Sequence, residues 1–242
     1  MQLLVTRPQP DADELAQALR GLGHEVIVEP LLEFEPHDLG SLSFGDAQAI
    51  IVTSRNALRA LDALGRVHEA THLPLYTVGG ASARMGEQLG FEIIHIGSGT
   101  AQGLLPLIMQ GCRADAGLLV HLAGEKLAFD MRGALEQHGF NASQPVLYHM
   151  RPIDKLSTKT ESSLRSGVID GVILMSPLTA RTYARLVQDQ IPSGVTNGII
   201  HFCLSEKVAE ALPESEGKRI AVANESTQDD LLALITREAA NY

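Results

Sequence analysis

The sequence predicts an α/β protein of two similar lobes, each a parallel sheet flanked by helices, the two joined by a two-stranded linker. Short apolar runs alternate with amphipathic helical stretches along nearly the whole chain. Segments of the two halves also echo one another in the same order. AIIVTSRNALRAL (49–61) matches GVILMSPLTARTY (171–183), aligning Ser54 with Ser176, and TAQGLLPLI (100–108) matches TQDDLLALI (227–235), aligning Thr100 with Thr227. Finally, two extended segments, 25–34 and 146–151, stand where crossings between lobes are needed. The first is longer than the roughly 5–6 residues of an ordinary strand. The opening strand and helix precede the first echo, so they complete the sheet of the C-terminal third. The expected organisation is a discontinuous lobe (1–30 with 155–242), an inserted lobe (46–145), and linker strands at 31–37 and 146–152.

In chain order, Leu3–Thr6 reads as a buried strand ended by Arg7-Pro8, and Asp11 with Glu14 reads as a capping box. The helix after it carries Leu15, Leu19 and Leu22 and stops at Gly21–Gly23. Residues 25–34 are extended around Pro30, and 36–45 form a polar loop. Ala49–Val52 is a strand, Thr53-Ser54 a turn, and Arg55–Leu64 a helix with Ala57, Leu58, Leu61 and Leu64 inward. Leu75–Val78 runs into Gly79-Gly80 and a helix bearing Ala81, Met85 and Leu89, with Gly90 as its C-terminal cap. Phe91–Ile96 and Leu118–Leu122 are strands, each followed by a turn and a helix, the second helix ending at Gly139. Val146–Arg151 is extended and stopped by Pro152. Gly171–Met175, Ile199–Leu204 and Arg219–Ala223 repeat the pattern, leading to Ser176-Pro177, Ser205, and Thr227 with Asp230 as a second capping box.

At 242 residues the chain suits one large domain or two small ones, each with its own core. No apolar run approaches the roughly 18 residues of a membrane helix, and MQLLVTRPQP reads as strand and turn rather than as a signal peptide. Cys112 and Cys203 show no metal-like spacing and fit free thiols in a reducing cytosol. A net charge of −10 and the scarcity of aromatics argue against nucleic-acid binding, though not against an anionic small molecule.

No phosphate loop, zinc motif or nucleophile elbow occurs. Gly97-Ser-Gly99-Thr-Ala-Gln-Gly103 approaches a dinucleotide fingerprint, but its third glycine is one place late and no acidic partner follows. A shared device says more. Ser54, Gly79-Gly80, Gly99-Thr100, Ser176, Ser205 and Thr227 all stand at strand-to-helix turns, the carboxyl edge where parallel sheets bind ligands. Helix N-termini there offer unpaired N–H groups and partial positive charge, which suit a ligand bearing several carboxylates. Ser and Thr at such turns also simply cap helices.

VTRP, IIVTSRNAL, TVGGASA, LLVHLAGEK, VLYHM, VILMSP–TA and the terminal ES-T-LL pattern together resemble the uroporphyrinogen-III synthase family across nearly the whole chain. The resemblance implies two α/β lobes on a two-stranded linker and a lyase, active in the cytosol as a monomer, that needs no cofactor and no metal. It implies a heme-pathway substrate, hydroxymethylbilane, with an acetate and a propionate on every pyrrole. Water is lost, the terminal pyrrole attacks its substituted carbon, and a spiro intermediate recloses with ring D inverted. Catalysis would rest mainly on holding the chain in its closing geometry and assisting the departing hydroxyl.

By the same resemblance, Tyr148 is the group that hydrogen-bonds or protonates the leaving hydroxyl, and Ser82, standing where the family usually has threonine, is the second catalytic residue. Thr53, Ser54, Gly79, Gly80 and Ser176 become substrate-binding turn residues, with Ser205, Thr227, Lys126 and Arg7 as further anion contacts. Two departures stand out. Leu127-Ala128 replace a glycine and an arginine frequent after AGEK, and SEKVAEAL lacks the usual glycine and threonine. The competing expectations are a two-lobed anion or tetrapyrrole binder without chemistry, a member that has lost activity, and a nucleotide-using enzyme. His121, inside an apolar strand, reads as a core or turn residue, and His149 as a neighbour able to modulate Tyr148.

Overall fold

A computed structural model describes residues 1–37, 42–214 and 219–240. Part of the polar loop expected over 36–45 (38–41) lies outside them. The chain opens with β1 (Gln2–Val5), α1 (Asp11–Gly21), β2 (Glu25–Val28) and β3 (Leu32–Pro36). It continues through β4 (Ala47–Val52), α2 (Arg55–Ala63), β5 (Leu75–Thr77), α3 (Gly80–Gln88), β6 (Ile94–Ile96) and α4 (Leu105–Gly111). Then come β7 (Leu118–Gly124), α5 (Met131–Gln137), β8 (Ala142–Ser143) and β9 (Val146–Pro152). The last third holds α6 (Thr158–Arg165), β10 (Gly171–Leu174), α7 (Pro177–Gln190), β11 (Ile200–Cys203), α8 (Glu206–Ala209), β12 (Arg219–Val222) and α9 (Gln228–Ala240). Two compact units result: Met1–Glu33 with Arg151–Tyr242, and Phe34–Met150.

In the first unit the sheet order is β12-β11-β10-β1-β2, all neighbours parallel. Strand alternation sorts its apolar residues onto two faces. Leu4, Val172 and Leu174 pack with Leu164, Ala180 and Leu186 from α6 and α7. Leu3, Val5 and Ile173 pack with Leu15, Leu19, Leu231 and Ile235 from α1 and α9. Burial on both faces explains why these strands read as continuous apolar runs. Each large side chain so buried contributes about 1.5–3 kcal/mol.

The second unit's sheet runs β3-β9-β7-β4-β5-β6, with β8 beside β7. Ile50, Val52, Leu75 and Val120 meet Leu58 and Leu61 of α2 on one face. Ile51, Tyr76 and Leu119 meet Ile108 of α4 and Leu135 of α5 on the other. Along the sheet, β4, β5 and β6 stand where β10, β11 and β12 stand in the first unit, and β7 stands where β1 does. The two sheets share one strand order cut at different places in the chain, which is why only their shared middle segments echo in sequence.

Several caps agree with expectation. Ser54 and Ser176 cap α2 and α7 through Asn56 N and Thr179 N, and Gly90 takes φ +93° at the end of α3. The capping box at Asp11 does not form. Pro10 holds the N-cap position, so Asp11 falls inside the first turn, where it pairs with Arg7 at 2.9 Å. Thr227 Oγ1 accepts the Asp230 N–H, but the Asp230 carboxylate turns to Glu225 N, so only half of that box is made. Leu22 is a half-exposed cap residue rather than part of the apolar face. β7 runs on to Gly124, two residues past expectation, while β6 starts only at Ile94.

Candidate active site

Where the connections of a parallel sheet diverge, the carboxyl ends of two adjacent strands leave a crevice. In the second unit this lies between β4 and β7, because the chain runs from β4 to β5 and β6 on one side and from β7 to β8 and β9 on the other. A cavity of about 400 Å³ opens there. Thr53 and Ser54 come from the turn after β4, Val78 from that after β5, and Gly99, Thr100 and Ala101 from that after β6. Gly124 ends β7, Lys126, Leu127, Ala128 and Phe129 follow it, and Tyr148 comes from β9. Lys126 is the one cation among these lining residues, and no acid lines the cavity with it.

Tyr148 is 9% exposed. Its ring lies directly on Gly124, where a Cβ would stand 2.5 Å from Cζ and 2.8 Å from the hydroxyl. The Phe34 ring packs beside it with centroids 5.6 Å apart. Burial pushes the phenol above its ordinary 10.0, and a hydrogen bond with Ser54 partly opposes this. The hydroxyl therefore keeps its proton at neutral pH and can donate it.

Thr53 Oγ1 lies 3.2 Å from His121 Nε2, and His121 Nδ1 lies 2.8 Å from Gln144 Oε1. His121 is 1% exposed, and burial lowers its pKa below the ordinary 6.5 despite the Gln144 bond, so the ring is neutral. On the exposed side, His149 Nδ1 stands 3.3 Å from a Glu125 carboxylate oxygen and its ring meets His37 edge-on.

Of the residues singled out from sequence, the cavity gathers Thr53, Ser54, Gly99, Thr100, Lys126 and Tyr148. Gly79 and Gly80 follow its Val78, and Gly79 caps α3 in extended conformation with no side-chain cap bond. Ser82 is buried in the first turn of α3, off the cavity wall. Arg7, Ser176, Ser205 and Thr227 stand in the first unit at the carboxyl ends of β1, β10, β11 and β12. Arg7 is engaged there by Asp11 and by Gln228 Oε1 at 2.9 Å. Ser176 is taken up by Thr179, while Ser205 makes no side-chain cap bond.

Sequence reasoning did not assign Phe129, His121 or Gln144 to a site. For His121 the link to Thr53 comes from the sheet register. Ile51 pairs with His121 across β4 and β7, and Thr53 is two residues past Ile51, hence on the same face. The first unit holds a separate cavity of about 350 Å³ near the amino ends of β11 and β12, lined by Tyr183, His201 and Glu214 among others. None of the predicted site residues lines it. Among the described residues no cluster of three or more His, Cys, Asp or Glu is arranged to hold a metal ion, and no helix is long and apolar enough to cross a membrane.

A family model described as uroporphyrinogen-III synthase HemD matches residues 13–233. Among solved structures, the uroporphyrinogen-III synthetase of Helicobacter pylori 26695 superposes with a TM-score of 0.65 at 17% identity, covering 98% of this chain and 100% of that one. A mutant uroporphyrinogen III synthase from the extremely thermophilic bacterium Thermus thermophilus gives 0.55 at 16% identity, covering 99% and 98%. At such identities these structures speak for the fold alone. No curated protein sequence matches the chain.

Proposed function

The chain belongs to the uroporphyrinogen-III synthase family of heme biosynthesis, and from that premise we propose that its chemistry is centred on the β4–β7 cavity, with Tyr148 as the acid. The observation that carries this reading is a protonated, buried phenol on the wall of a cavity rich in hydroxyls. As a hydro-lyase, the protein would act on hydroxymethylbilane as follows. Tyr148 gives its proton to the substrate hydroxyl, the C–O bond breaks, and water leaves an azafulvene-type cation. The terminal pyrrole attacks at its substituted carbon, and the spiro intermediate fragments and recloses with ring D inverted. The proton released from that ring on closure restores the phenol, so the sum is loss of one water.

Ser54 orients the Tyr148 hydroxyl, Lys126 meets a substrate carboxylate, and the uncapped N–H groups at Gly79 and Gly80 meet another. Ser82 supports that turn from beneath rather than touching the substrate. Arg7, Ser176, Ser205 and Thr227 are the anion contacts of the first unit. Work in the cytosol is consistent with two cysteines that stand outside any disulfide, Cys203 buried and Cys112 bonded to the Tyr76 hydroxyl at 3.5 Å; we take the protein to act as a monomer.

The test is a coupled assay. Freshly generated hydroxymethylbilane is given to the protein without added cofactor, and the oxidised porphyrin isomers are separated. Predominantly isomer III is expected. Isomer I alone, the product of spontaneous closure, would leave only a tetrapyrrole or anion binder.

A further inference from the structure

We propose that His121, fixed by Gln144, makes Thr53 an acceptor on the cavity wall, so that Thr53 positions a pyrrole N–H of the substrate rather than one of its carboxylates. The geometry runs inward to outward. Gln144 Oε1 can only accept, so at 2.8 Å it requires the proton on His121 Nδ1. Nε2 is then a lone pair, and the group it faces at 3.2 Å, Thr53 Oγ1, must donate to it. A hydroxyl has one proton, and Thr53's is spent on the ring. What it turns to the cavity is lone pairs, which repel a carboxylate and accept an N–H or O–H. The ring cannot rearrange cheaply, because it is 1% exposed within β7. His121 is thus a positioning residue. Its effect deepens the synthase reading and rests on it.

The tautomer is read without substrate, by long-range ¹⁵N–¹H correlation of the histidine-labelled full chain, with the His121 signal assigned by its loss in His121→Gln. An Nδ1–H imidazole that stays neutral at pH 7 is expected, and an Nε2–H tautomer or an imidazolium would overturn the proposal. Turnover supplies the second arm. Gln144→Glu sets a carboxylate at Nδ1, favours the imidazolium and gives Nε2 a proton, which reverses the Thr53 hydroxyl. Loss of one neutral hydrogen bond predicts a KM raised roughly three- to tenfold in Gln144→Glu and in Thr53→Val, with kcat little changed. The double variant should be no worse than Thr53→Val alone, and additive losses would refute action through Thr53. Wild-type protein that makes only isomer I fails the synthase reading instead, and leaves the tautomer result standing as a test of the hydrogen-bond chain.

Discussion

Substituting Gly124 tests whether Tyr148 must lie where it does, without touching any polar group. In Gly124→Ala the new methyl would stand 2.5 Å from Cζ and 2.8 Å from the hydroxyl and Cε2 of Tyr148. Carbon atoms in contact sit about 3.5–4.0 Å apart, so the ring must withdraw by about 1 Å. Overpacking of this kind costs about 1–3 kcal/mol, which for a chain of this size lowers the melting temperature by roughly 2–4 °C per kcal/mol. A displacement of about 1 Å in a positioned acid costs turnover on the order of 100-fold. The expected result is therefore a folded protein, several degrees less stable, with isomer III production down about two orders of magnitude. The isomer assay and a thermal melt read both quantities. Combining Gly124→Ala with Tyr148→Phe should lose no more turnover than the more severe single variant, because both act on one hydroxyl. Wild-type turnover in Gly124→Ala, with the melt lowered as expected, would show that the ring can move without consequence and refute the assignment.

Tyr148→Phe should reduce turnover by roughly 10²–10⁴-fold with stability changed by about 1 kcal/mol or less; undiminished turnover removes the phenol from the reaction. Glu29 is buried, and its carboxylate accepts Ser157 N–H at 2.7 Å, Ser157 Oγ–H at 2.5 Å and Thr160 Oγ1–H at 2.6 Å, tying the start of α6 to the end of β2. Glu29→Gln should cost about 1.5–3 kcal/mol, read as a lower urea midpoint at constant slope, and an unmoved midpoint counts against this tie. His24 and His121 both have pKa values lowered by burial. Below about pH 6.5 the unfolded chain therefore binds more protons than the folded one, so stability should fall from pH 7 to pH 5. His121→Gln should flatten that slope, and an unaltered slope would mean that His121 is not held neutral. A net charge of −10 repels a polyanionic substrate at long range. Raising salt from about 10 to 150 mM shortens the Debye length from roughly 30 to 8 Å, so kcat/KM should rise; a steady fall would mean that local cations such as Lys126 govern encounter.

The alternation of strands and helices could be read from sequence because each strand is buried on both faces and so lacks polar interruptions. Capping serines at positions 54 and 176 showed for a related reason: a hydroxyl before a helical stretch has few better uses than the free N–H groups of the first turn. α6 escaped notice because TKTESSLR turns only Thr160 and Leu164 fully inward, too few for a periodic signal. At Asp11 the local rule was overruled by a guanidinium four residues earlier. His121 shows the deeper limit. Its type and its apolar neighbours pointed to the core, which is where it lies. Its contact with Thr53 depends on the β4–β7 register, which no single stretch of sequence encodes.

One strand order cut at two places also accounts for the different chemistry of the two crevices. At the carboxyl ends of β1 and β10, the Thr6 hydroxyl donates at 2.5 Å to the Ile173 carbonyl, and Arg7 is paired with Asp11 and Gln228. A substrate carboxylate arriving there must compete with Asp11 for the guanidinium, and the two side chains are only 19% and 13% exposed, so the pair it disrupts is partly desolvated. At the carboxyl ends of β4 and β7 the cross-strand bond runs instead from Thr53 to a ring inside β7. Gly124, lacking a side chain, lets the Tyr148 ring cover the end of β7. Here the hydrogen bonds lie beneath the wall and hold its groups in place, and the phenol proton is left for the ligand. Under the proposed function the second crevice suits a reacting group, and the first an anion that is gained only by exchange.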